Sequence, residues 1–208
     1  PYGSRSPEEV YTFSKQAVDF LFAQGCPLVV FACNTASSDA LHKIQHDYVP
    51  KKYPNKKVIG VLIPFAEEAA VHTRNKRVGV IATEGTVESS AYVRELTKLD
   101  RRIKVFQQAC PLLVPLVEAG EHNAPATVLV LQSYLAPLLR KKIDTLILGC
   151  THYGILERHI RAIVGPDVHI VSESKVIPKK LKAYLAAHPE ISSVLQKSQK
   201  RTFFTTDT

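Results

Sequence analysis

The chain contains no methionine at any of its 208 positions, an absence that leads us to expect residues ahead of Pro1. It also has no apolar run long enough to span a bilayer. The longest, such as Leu28 to Cys33 and Leu146 to Cys150, are strand-sized. No secretory signal opens the chain, since Pro1 to Glu9 is polar. Neither a membrane nor an export pathway is therefore an expected partner. Cysteines are few, at positions 26, 33, 110 and 150, and no two form a Cys-x-x-Cys pair. That excludes a disulfide framework and a ligand-spaced metal site, and leaves reduced thiols of a cytoplasmic chain. No short-period repeat marks a solenoid. The net charge of +8 comes from basic residues scattered along the sequence. With no nucleic-acid motif beside them, they read as solubility and general attraction to anions, and no nucleic-acid partner is expected.

What is present is a globular composition, 45% hydrophobic and 22% charged, in which strand and helix patterns alternate. Ser6-Pro7-Glu8-Glu9 is a capping box with proline at the first helical position, and Val10, Phe13, Ala17 and Leu21 follow at helical spacing. Continuous apolar runs predict strands at 28–33, 58–63, 77–82, 145–149 and 168–171, with another at 103–107. Helices are predicted over 34–48, 87–99, 112–119, 126–141, 155–164 and 176–187. This alternation predicts an α/β protein with parallel sheets covered by helices on both faces. Ligands in such sheets bind beyond the carboxyl ends of the strands.

Two segments repeat one plan there. Val30 to Ser37 and Ile147 to Gly154 each run from an apolar strand through a cysteine and small hydrogen-bonding residues into a helix. The echo predicts two related domains, each contributing one cysteine, Cys33 and Cys150, to a shared cleft. Helix-start amides there would lower the thiol pKa and could hold a carboxylate. Asn34, Thr35, Thr151 and His152 add side-chain donors. Cys26 and Cys110 lack this context and read as small buried hydrophobes. Two chemistries fit. One thiolate could act as a nucleophile with His152 as base, or the two thiols could take and give a proton on opposite faces of one carbon. The near-symmetry of the halves favours the second.

These residues carry a resemblance. Pro1 to Ser6, Ala32-Cys33-Asn34-Thr35-Ala36-Ser37, Val58 to Val61, Gly79 to Thr86, Cys110-Pro111 with Val114 to Glu118, and Gly149-Cys150-Thr151-His152-Tyr153 resemble, in order, segments of the cofactor-independent aspartate/glutamate racemase superfamily, and of its glutamate racemases in particular. The resemblance implies two doubly wound parallel-sheet domains related by pseudo-twofold symmetry, with the active site in the cleft between them. Residues 1–63 and 171–208 would form the first and 64–170 the second. It implies that Cys33 and Cys150 are the bases that interconvert L- and D-glutamate, with Glu118 and His152 as polar partners of Cys150. It implies that Pro1, Tyr2, Gly3, Asn34, Thr35, Thr83, Thr86 and Thr151 line the substrate site, with no cofactor and no metal.

By the same resemblance, aspartate-specific members carry Glu two residues after the second cysteine, so His152 favours glutamate. The product would feed the bacterial cell wall, and a homodimer is the candidate assembly. Two rivals stay open: a racemase or isomerase of another small acid such as aspartate or maleate, and a non-catalytic amino-acid-binding regulator. The family's opening strand, ending in Phe-Asp-Ser-Gly, has no counterpart in the chain, and Gly154 stands where the family usually has proline.

Overall fold

The computed structural model describes residues 2–196, 198 and 200–206, so Pro1 lies outside the described residues. Its elements run α1 (Pro7–Ala23), β1 (Leu28–Phe31), α2 (Asn34–Asp39), α3 (Leu41–Lys43), a π turn (Ile44–Tyr48), α4 (Val49–Lys52), β2 (Lys57–Gly60) and α5 (Leu62–His72). There follow β3 (Arg77–Ala82), α6 (Glu84–Glu88), α7 (Ala91–Leu99), β4 (Lys104–Ala109), α8 (Leu113–Glu118), α9 (Pro125–Arg140) and β5 (Thr145–Gly149). A 3-10 turn (Thr151–Gly154), α10 (Glu157–Val164), β6 (His169–Val171), α11 (Glu173–Ala187) and α12 (Pro189–Ser192) complete the order.

All the pairings are parallel. A two-stranded sheet, β1-β2, and a four-stranded sheet in the order β4-β3-β5-β6 form separate layers. In the larger sheet, alternate side chains serve two cores. Val78, Val80, Ala82 and Ile147 pack with Phe65 of α5, Leu96 of α7 and Val176 of α11. Ile81, Leu146 and Leu148 pack with Leu131 and Leu135 of α9 and Ile160 of α10 on the opposite face. The smaller sheet shares a third core with α1, through Val10, Val18 and Phe22 against Val29, Phe31 and Val58. The predicted capping box holds α1 in place: Glu9 N donates to Ser6 Oγ (3.2 Å), and Ser6 N donates to Glu9 Oε2 (3.1 Å).

Several elements differ from the sequence-based expectation. The strand predicted over 58–63 stops at Gly60, and Leu62–His72 is a helix. A short apolar run does not distinguish a buried strand from a buried helix. Leu62, Phe65, Ala66 and Ala69 turn inward at helical spacing, while Ile63 is exposed, and Pro64 sits in the first turn, where its missing N–H costs nothing. The helix predicted over 34–48 is broken, and the π turn closes on a bond from Val49 N to Ile44 O. Pro50, one residue on, has no N–H to continue an α ladder. The helix predicted over 87–99 divides at Ser90, whose φ of +53° is left-handed.

Past Val171 the tail comes back to α1, where Phe204 meets Phe20 edge-on with ring centroids 4.9 Å apart. Val171 pairs with Ile147 in the larger sheet, and α11 packs on that sheet's core through Val176. Leu146 is fully buried between β3 and α9. Leu146→Ala is therefore expected to cost about 3 kcal/mol, read as a lower urea midpoint at unchanged slope.

Candidate functional site

The order β4-β3-β5-β6 reverses at β3. The chain leaves β3 towards α6 and α7 on one face of the sheet, and leaves β5 towards α10 on the other. A crevice opens where the two exits diverge. Ala82 pairs with Gly149, so Thr83 and Cys150 emerge side by side. The packing at Gly149 is tight, because a Cβ would lie 3.0 Å from Ile81 O and 3.2 Å from Tyr92 Cε2 and its neighbours would have to give by a few tenths of an ångström.

The smaller sheet delivers Cys33, Asn34 and Thr35 to the same place. A cavity of about 250 Å³ is lined by Tyr2, Gly3, Cys33, Asn34, Thr35, Thr83, Val114, Cys150, Thr151 and His152. Nine of these were singled out by sequence. Val114 was not, because an aliphatic residue on α8 carries no chemical signal. Thr86 is fully buried behind this wall, and its hydroxyl lies 3.3 Å from that of Thr35 and 3.1 Å from that of Thr83. Thr83 caps α6, its Oγ1 accepting from Thr86 N at 3.4 Å. With Thr35 Oγ1 and Thr83 Oγ1 at 2.9 Å, the three hydroxyls bridge the two layers. Gly3 joins them too, since Gly85 N donates to Gly3 O (3.2 Å). A Cβ on Gly3 would meet Thr83 Cγ2 at 2.6 Å.

The two thiols sit differently. Cys33 caps the six-residue α2, its Sγ accepting from Ala36 N at 3.5 Å. Cys150 precedes only a four-residue 3-10 turn. Burial pushes its thiol up to about 11, more than the donors at His152 and Thr151 pull it back, and the nearby Cys33 raises it further. The expectation that a helix start would lower this thiol fails for that reason, and at neutral pH Cys150 is the protonated thiol.

His152 Nδ1 lies 3.7 Å from Cys150 Sγ, and its Nε2 lies 2.5 Å from Glu118 Oε1. A carboxylate only accepts, so Nε2 carries the proton and Nδ1 is left to accept from the thiol. Glu118 is exposed and outside the cavity, and it is connected to Cys150 only through His152. Cys110, fully buried with its thiol pushed up by desolvation, is the structural residue expected. Cys26 is only half-buried.

Among the described residues, one group has metal-like composition, Glu68, His72 and His169. The two imidazoles are stacked 4.0 Å apart and parallel within 1°, so no ion can lie in both ring planes. A larger groove of about 850 Å³, lined by residues including Val30, Leu41, Ile59 and Tyr184, contains neither Cys33 nor Cys150.

Two thiols from different layers, ringed by hydroxyl and amide donors, line one cavity, an arrangement chemically capable of proton transfer or nucleophilic attack. The sequence model of the Asp/Glu/hydantoin racemase family matches residues 1–174, and the chain belongs to that family. It is 42% identical over 172 residues to a glutamate racemase of Desulforudis audaxviator, covering 82% of this chain and 60% of that protein. Against a glutamate racemase of Listeria monocytogenes it is 39% identical over 207 residues, 99% of this chain and 75% of the relative.

Solved structures agree. Glutamate racemase isoform RacE1 from Bacillus anthracis superposes with a TM-score of 0.83 at 38% identity, over 92% of this chain and 69% of the other. The Francisella tularensis glutamate racemase, solved in complex with D-glutamate, gives 0.82 at 32%, over 96% and 70%.

Peptide-level alkylation by iodoacetamide across pH should show Cys150 reacting with a midpoint near 11. In His152→Asn the Cys150 rate at neutral pH should fall further; a midpoint near the ordinary thiol value of about 8.5 would contradict the burial argument. Gly3→Ala should push the loop off Thr83 and break the bond from Gly85 N to Gly3 O, read as faster amide hydrogen exchange at Gly85.

Proposed function

We propose that the chain interconverts L- and D-glutamate without a cofactor, by proton transfer at Cα between Cys33 and Cys150. The observation that carries this reading is the meeting of the two thiols in one cavity, each delivered by a different sheet. In one direction a thiolate removes the Cα proton and becomes a thiol. The electron pair passes into the adjacent carboxylate as an enolate, and the opposite thiol then returns a proton to the other face of the carbon and becomes a thiolate. Atoms and charge balance, and the reverse reaction exchanges the roles.

Cys150, held as the thiol, is set up as the first donor, and His152 with Glu118 provides the route by which it later sheds or regains a proton. Asn34, Thr35, Thr83 and Thr151 would hold the substrate's charged ends, with Tyr2 and Gly3 closing over them. His152 at its position and the D-glutamate complex of the Francisella relative both favour glutamate over aspartate. The smaller layer with α1 forms one side of the cleft and the larger sheet the other. Among the described residues no helix is long and apolar enough to cross a membrane. D-Glutamate made here would supply the cell-wall peptide in the cytoplasm.

L-Glutamate incubated with the chain in deuterated water should lose its α-proton signal. Cys33→Ser and Cys150→Ser should each lower that rate by roughly 10³-fold, while Cys26→Ser leaves it unchanged. Faster exchange with aspartate would overturn the substrate assignment. Binding of glutamate without exchange would favour a regulatory role.

A further inference from the structure

Tyr92, on α7 of the larger layer, is completely buried and lines no part of the cavity, yet its hydroxyl donates to Asn34 Oδ1 on α2 at 2.6 Å. This is a hydrogen bond between the two layers, made by a side chain that burial keeps firmly protonated. Asn34 is itself only 2% exposed and lines the cavity, and its Nδ2 is buried without a hydrogen-bond partner. A buried amide nitrogen left unpaired is costly and calls for an acceptor.

We infer that Tyr92 is a positioning residue: its hydroxyl fixes the orientation of the Asn34 amide so that the free N–H groups face the cavity and receive a carboxylate of the substrate. The asymmetry of the amide carries the argument. A phenol needs an acceptor for its proton, and Asn34 Oδ1 supplies it. Turned end for end, the amide would leave the phenol proton without an acceptor and present an oxygen to an anion, which repels it. The ring is as constrained as the hydroxyl, since Gly149 leaves its Cε2 only the space that a side chain would fill. Tyr92 thus ties the orientation of Asn34, beside Cys33, to β5, the strand that leads into Cys150.

This inference rests on the glutamate reading above, and the test separates the two. Racemisation kinetics are measured for the wild-type chain, Tyr92→Phe, Asn34→Ala and the double variant, with melting temperatures alongside. Tyr92→Phe, which keeps the ring, is expected to raise KM about tenfold, with kcat within about threefold. Asn34→Ala should raise KM at least as much. The double variant should be no worse than Asn34→Ala alone, because the hydroxyl acts only through the amide.

Unchanged KM in Tyr92→Phe, or KM effects that multiply in the double variant, would overturn the positioning role. So would a fall in melting temperature with no KM change. A wild-type chain that neither binds nor exchanges glutamate would instead remove the functional reading, and with it the proposed ligand of Asn34; that outcome appears in the wild-type arm alone.

Discussion

The pairing of Ala82 with Gly149, at the ends of two neighbouring parallel strands, is the constraint on which the site depends. Parallel pairing brings both strands out of the sheet on the same side, and the reversal of strand order between them sends their continuations to opposite faces. Thr83 and Cys150 are left at the mouth of the opening. Behind that mouth the packing is tight at Gly149, where a Cβ would lie 3.0 Å from Ile81 O and 3.2 Å from Tyr92 Cε2. Every other feature of the cavity is arranged around that point, and the smaller sheet needs only to present its own strand end to it.

The contacts between the two layers at this point are polar and small. Hydroxyls of Thr35, Thr83 and Thr86 lie within 3.3 Å of one another, Gly85 donates to Gly3 O, and Tyr92 donates to Asn34. Hydrogen bonds of this sort add only modest net stability but fix geometry closely, because each broken one leaves a buried group unsatisfied. The apolar cores lie behind, in three separate clusters. The division leaves binding geometry to the polar joint and stability to the cores.

Much of this was legible in sequence, for identifiable reasons. The buried strands β3 and β5 announce themselves as apolar runs rich in Val, Ile and Leu, and each is followed at once by a residue with a chemically useful side chain, Thr83 and Cys150. The echo around Cys33 and Cys150 pointed to six of the residues that line the cavity, and the family resemblance added Tyr2, Gly3 and Thr83. What stayed hidden depends on packing. Leu62 to Phe65 reads as strand or helix alike until its inward face is known. Thr86 cannot be told from Thr83 until one of them is seen to cap α6. The protonated state of Cys150 follows from desolvation that no spacing encodes, and Tyr92, at core-like spacing with Leu96, gave no hint of a polar partner 58 positions away.

The central claim is that two thiols serve opposite faces of one carbon, and the isotopic fate of that carbon tests it most directly. L-Glutamate is converted in deuterated water and both enantiomers are recovered early, before the reaction reverses. Two opposed proton carriers predict that the D-glutamate formed carries deuterium at Cα while the remaining L-glutamate keeps its proton. Product that retains the original proton, or substrate that gains deuterium as fast as product appears, would mean that one group serves both faces and would contradict the account.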